Sequence, residues 1–132
     1  MKMFNGGAIS SYFSTNELKC KCGCGSFNYS KRFLNALSAF RCILKRPVIV
    51  TCGCRCKKHN AEVGGVPTSL HECTTKQASA TDITLCRVED VGFMYKEACN
   101  SRLFNEVIWY KAQRFVHVGI DPNQKGNYFS IK

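Results

Sequence analysis

Ser69-Leu70-His71-Glu72-Cys73-Thr74-Thr75-Lys76-Gln77-Ala78-Ser79-Ala80-Thr81-Asp82 is the stretch around which this chain is organised. It sets an imidazole, His71, and a carboxylate, Asp82, at the two ends of a run of small and polar residues that leads into Ile83-Thr84-Leu85. Ser79 to Leu85 reads as a strand carrying Asp82. Two such side chains point to part of a metal site, and the well-placed third ligand is His117 in Phe115-Val116-His117-Val118-Gly119-Ile120. That segment alternates and is rich in β-branched residues, so it also reads as a strand. Two histidines and one carboxylate are a ligand set of catalytic zinc, which keeps a fourth position open for water.

Working outward, Glu106 to Tyr110 and Phe115 to Ile120 form a hairpin across Lys111 to Arg114. In that register Ile108 faces His117 and Glu106 faces Gly119, with Glu106 and His117 on one sheet face. Ser30 is a good N-cap for a helix in which Phe33, Leu34, Leu37, Phe40, Arg41 and Leu44 recur at helical spacing, and Pro47 stops it. Pro47 to Cys52 is short and β-branched, the pattern of a buried strand. Gly64, Gly65 and Pro67 make Ala61 to Pro67 a loop. Val88 to Cys99 is a second helix with Val91, Tyr95, Ala98 and Cys99 on one side, against the preference of Gly92. Ser10 to Leu18 is a loop with a helical turn capped by Ser14, three residues before Glu17. After the hairpin come a polar turn and a short closing strand near Tyr128 and Phe129. The sum is an α+β fold, two main helices packed on one mainly antiparallel sheet.

The 132 residues suit one domain with one core. No stretch approaches the ~18 apolar residues of a membrane span, and Met1 to Ser10 has no apolar signal region. Synthesis in the cytoplasm, a monomer, and later release or delivery are the expectations. The formal charge of +10 predicts attraction to polyanions, whether nucleic acid, anionic cell-wall polymers or membrane surfaces. Nucleic acid ranks last, because the CxxC/HxxxH spacing and aromatic clustering of such modules are missing. The ten cysteines include two alternating trios, Cys20, Cys22, Cys24 and Cys52, Cys54, Cys56, each on one face if extended. Reduced thiols, a disulfide and a structural zinc shared between the trios all remain open; CxCxC is not the CxxC spacing typical of zinc ribbons.

Five segments in order, Phe13 to Gly25, Ile49 to Asn60, Ser69-Leu70-His71 after a glycine pair, Ala78 to Ile83 and Phe115 to Val118, resemble the peptidase M15 family. They look most like its short phage and bacterial members, zinc D-Ala-D-Ala carboxypeptidases and endolysins of the Hedgehog/DD-peptidase fold. The resemblance covers nearly the whole chain and implies one catalytic domain over residues 1–132, with His71, Asp82 and His117 as zinc ligands. It also implies that Arg55 steadies the substrate or the tetrahedral intermediate, with Ser69 and His59 in support. The activity implied is hydrolysis of an amide bond in the peptidoglycan stem peptide or cross-bridge. The alternative is a catalytically impaired, zinc-containing wall-binding or virion module.

Two departures from the family stand out. Asp82 lies eleven residues after His71 instead of seven, so about four residues among Glu72 to Gln77 are extra; an outward bulge accommodates them at little closure entropy. Relatives also carry an acid three residues before or two after the last histidine, where this chain has Arg114 and Gly119. Glu106 is the better candidate for the acid/base task, with Gly119 leaving room for it to lean toward the metal. Asp121 is the lesser one, about 13 Å from His117 along an ideal strand.

Overall fold

The computed structural model describes residues 12–132. The start of the Ser10–Leu18 loop and the segment read as lacking a signal region lie outside them.

Among the described residues, four helices pack with a five-stranded mixed sheet, mostly antiparallel, in the order β1-β2-β4-β3-β5. Helix α1 (Thr15–Leu18) opens on the expected capping box, with Ser14 and Glu17 exchanging hydrogen bonds. Helix α2 (Lys31–Leu44) is capped by Ser30 and ends at Lys45, which adopts the left-handed conformation (φ 58°) before Pro47. Its residues Phe33, Leu34, Leu37, Phe40 and Leu44 are buried. Arg41 instead lies over the Tyr12 ring, 4.6 Å from its centroid. Phe33 and Phe40 both meet Phe104, with ring centroids 5.9 and 5.6 Å away, so α2 packs on the chain that enters the hairpin.

Strand β1 (Ile49–Cys52) corrects the reading of a buried strand. It lies at the sheet edge, with Ile49 42% exposed, because β2 covers only one of its sides. Helix α3 (Lys57–Glu62), capped by the Cys56 thiol accepting from the His59 amide, starts before the predicted loop and shortens it. Strand β2 (Ala80–Thr84) is followed by a short 3-10 turn, Val88–Asp90, and α4 (Val91–Ser101), which buries Val91, Met94 and Ala98. Gly92 stands there for a steric reason: a Cβ would come within 2.8 Å of the Trp109 ring. Strands β3 (Glu106–Tyr110) and β4 (Phe115–Gly119) form the hairpin in the expected register, Ile108 opposite His117 and Glu106 opposite Gly119. The closing strand β5 (Tyr128–Ile131) runs parallel to β3.

Three connections fix the parts nearest the future site. Tyr29 donates to the Ala80 carbonyl (2.8 Å) and lies 3.0 Å from the Thr81 hydroxyl, tying the α2 approach to β2. Gly53 passes so close to α1 that a Cβ would overlap the Leu18 carbonyl, while the Cys54 amide donates to that same carbonyl at 2.8 Å. The additional residues after His71 do bulge outward: Thr74 to Gln77 are exposed while Glu72 turns inward. Its carboxylate accepts from the Thr74 and Thr75 amides and hydroxyls. Burial works against the charge on Glu72, but these donors outweigh it and hold its pKa at about 2.

Gly53→Ala should lower stability by ~1–3 kcal/mol or more in urea unfolding, because backbone cannot yield as a side chain can. Glu72→Gln should destabilise in a pH-dependent way. The depressed carboxylate contributes fully above its unfolded pKa of about 4.3 and loses that contribution as pH falls towards about 2. The gap in unfolding free energy between wild type and variant should therefore narrow over that interval.

Candidate metal centre

Asp82 and His117 are directly opposed across β2 and β4. Such partners project from one face with Cβ atoms about 5 Å apart, so the pairing register alone brings the carboxylate to the imidazole. His71 arrives from the loop before β2. Its amide meets the Ser69 hydroxyl at 3.2 Å, its carbonyl accepts from the Arg55 amide at 2.7 Å, and Leu70 is held by the Ser79 amide at 2.8 Å. The bulging loop therefore leaves both of its ends anchored.

The three side chains converge on one point. Asp82 Oδ1 lies 3.1 Å from His117 Nδ1 and 3.2 Å from His71 Nε2, and the two nitrogens are 3.2 Å apart. Ligands at about 2.0–2.1 Å from a tetrahedral zinc are separated by about 3.3 Å, so the triangle has the size that one such ion requires. The far nitrogens are also occupied as metal-bound histidines need. His71 Nδ1–H donates to the Gly53 carbonyl at 2.7 Å, and His117 Nε2–H donates to Glu106 Oε1 at 2.5 Å. Each contact keeps a proton on the outer nitrogen, so the inward nitrogen is the one that would ligate once deprotonated. The donor set thus fits zinc.

The electrostatics of these side chains reflect the same crowding. Burial opposes charge on His71, but the Asp82 carboxylate and Cys52 outweigh it and push its pKa up to about 10. His117 is likewise raised, burial being overcome by Asp82 and Glu106. Asp82 resists its own burial because both imidazoles hold it well below the usual carboxylate range. The His117 hydrogen bond lowers Glu106.

A cavity of about 470 Å³ opens over the triangle, and its walls include Arg55, Ser69, Glu106, Tyr110, Phe115 and Asp121. Arg55 Nη2 lies 3.4 Å from the Ser69 hydroxyl, and its buried Nε has no hydrogen-bond partner among the described residues. Asp121 sits beyond the end of β4, its Oδ1 accepting from the Asn123 amide at 3.0 Å. His59 is elsewhere: it lies on α3, 4.0 Å from Glu62, and is not in the cavity wall. The space at Gly119 serves a different purpose from the one expected, since a Cβ there would meet Leu70 at 3.1 Å and the Ser79 carbonyl at 3.3 Å. Glu106 reaches His117 without it.

Sequence reasoning missed Cys52. A bulge between Val50 and Cys52 places Cys52, not Thr51, opposite Asp82, with its sulfur 3.9 Å from His71 Nδ1. Cys52, His71 and Asp82 thereby offer donor atoms within 4.8 Å of one another. No local pattern announces a bulge, so the alternation of Cys52, Cys54 and Cys56 did not reveal which thiol would face the carboxylate.

Zinc binding should release protons near neutral pH, because His71 must lose the proton that its pKa of about 10 retains. Affinity should rise with pH by up to about tenfold per unit for each proton released. Calorimetry in two buffers of different ionisation enthalpy measures that number directly; buffer-independent heats would contradict it.

The sequence matches the family model described as Peptidase M15 over residues 11–119, a span that includes all three converging side chains and Glu106. No curated protein matches the chain.

Proposed function

The chain belongs to the peptidase M15 family, and from that premise we propose that it is a zinc metallopeptidase cutting an amide bond in peptidoglycan peptides. The bond would have a D-amino acid at or near the cut, as in a D,D-carboxypeptidase or endopeptidase, and residues 1–132 would act as one catalytic domain. The observation that carries the reading is the spacing of the three donors, 3.1 to 3.2 Å between His71, Asp82 and His117.

His71, Asp82 and His117 would hold the zinc, which would supply Lewis acidity and make water a competent nucleophile near neutral pH. The chain's own residues do the rest. Glu106, with Oε1 engaged by His117 Nε2–H, orients that ligand and takes the nucleophile's proton on its second oxygen, then returns it to the leaving amine. Arg55, whose buried Nε has no hydrogen-bond partner among the described residues, offers a guanidinium to the developing oxyanion or to a substrate carboxylate. Asp121, in the cavity wall but hydrogen-bonded to the Asn123 amide, is the second candidate for the proton. The +10 charge favours retention on anionic wall polymers, in keeping with an endolysin-like enzyme that reaches the wall after release or delivery.

Arg114 and Gly119, standing where relatives carry an acid, favour a second reading: a zinc-containing wall-binding module with impaired catalysis. Incubating zinc-loaded protein with purified muropeptides and analysing the products by mass spectrometry separates the two. Amide cleavage that is absent in His71→Ala supports the enzyme. Binding to walls with no new amino groups supports the module.

Glu106→Gln should retain zinc at the three-residue site while kcat/KM falls about 10²–10⁴-fold and the acidic limb of the pH–rate profile is lost. Asp121→Asn should stay within a few-fold of wild type. A fully active Glu106→Gln enzyme would remove Glu106 from the mechanism.

A further inference from the structure

We propose that Cys20, Cys22, Cys24 and Cys56 form a second, structural zinc site, separate from the one built by His71, Asp82 and His117. The four sulfurs lie within 4.8 Å of one another. Cys20 and Cys22 are 3.5 Å apart, and Cys22 and Cys56 are 3.7 Å apart across 34 residues of sequence. Four thiolates about 2.3 Å from a tetrahedral zinc are spaced about 3.8 Å apart, whereas a disulfide needs about 2.05 Å. The arrangement therefore has the dimensions of a Cys₄ site and not of a bridge.

Burial alone does not account for the gathering. Cys20 and Cys56 are buried, but Cys22 and Cys24 are exposed, where packing gives thiols no reason to converge. The segment that brings them in is a turn, not extended chain, and it curls through Gly23 and Gly25 at φ 97° and 73°. Backbone amides already donate to three of the four sulfurs. The Cys56 amide reaches Cys20 at 3.3 Å, the Ser26 amide reaches Cys24 at 3.4 Å, and the His59 amide reaches Cys56 at 3.3 Å. Such N–H···S contacts favour the thiolate that a metal needs. The second trio is divided: Cys52 faces Asp82, Cys54 donates to the Ser26 carbonyl at 3.4 Å, and only Cys56 joins the cluster.

The metal would staple the loop after α1 to the residue that follows Arg55, holding that arginine's backbone where it meets the His71 carbonyl. The test uses the full chain purified under reducing conditions. Elemental analysis should find one zinc fewer per chain in the double variant Cys24→Ser, Cys56→Ser than in wild type, and a zinc that persists in His71→Ala. The cobalt(II)-exchanged protein should show sulfur-to-metal charge-transfer bands of four-thiolate intensity, retained in His71→Ala and Cys52→Ser and lost in the double variant. If the double variant does not fold, the cobalt spectra of wild type, His71→Ala and Cys52→Ser decide alone. A zinc content that the double variant leaves unchanged, a cobalt form lacking four-thiolate bands, or oxidation of a pair of the four to a disulfide overturns the proposal. The muropeptide result has no bearing on these readouts, so the two proposals fail separately.

Discussion

The pairing of β2 with β4 is the constraint on which the site depends. It puts Asp82 opposite His117, and a slip of one residue would turn one of the two to the other sheet face. The buried neighbours Ile83, Val116 and Val118 penalise that slip, because their apolar side chains would be moved off the core side. Core packing and the meeting of Asp82 with His117 are thus set by the same register. Charge then tightens what register begins: a carboxylate shared by two imidazoles in a buried corner, with Glu106 and the Gly53 carbonyl behind them.

His71 is not on the sheet, and its position has to be supported separately. The support runs through a continuous set of contacts from α1 to the loop after His71. Gly53 lies against the Leu18 carbonyl, and its own carbonyl accepts a hydrogen bond from His71 Nδ1–H; Arg55 brackets the loop with its amide on the His71 carbonyl and its own carbonyl accepting from the Cys73 amide at 2.8 Å. Next to it the Lys57 amide donates to the Thr74 hydroxyl at 3.0 Å, which in turn reaches the Glu72 carboxylate at 2.9 Å. The additional residues between His71 and Asp82 are therefore not a loose excursion. They fold around their own carboxylate and leave His71 and Asp82 on a rigid frame, the precision that the proposed metal site would demand.

Arg114 and Gly119 stand at the two positions where the family resemblance leads one to expect an acid near the last histidine. A carboxylate on the neighbouring strand, opposite Gly119, reaches the imidazole's outer nitrogen instead of standing within the same segment. One group thereby acquires both an orienting contact and a place in the cavity wall. That economy is available because β3 and β4 form a tight hairpin, with Arg114 at its corner in the left-handed conformation (φ 65°).

Much of this was legible in the chain itself. The cap at Ser30, the 3.6-residue stripe of α2, the alternation in β3 and β4 and the turn between them are local patterns, written within a dozen residues and enforced by backbone geometry and burial. They determined the α+β class, the hairpin register and, through the order of its segments, the family. What only the tertiary structure decided lies where distant segments meet. It showed that β1 is an edge, that a bulge aims Cys52 at Asp82, that Leu70 occupies the space at Gly119, and that Cys56 alone of its trio joins Cys20, Cys22 and Cys24. His71 and His117 meet across 46 residues of sequence. The closing of such gaps depends on the packing of every element between them, and no local periodicity encodes it.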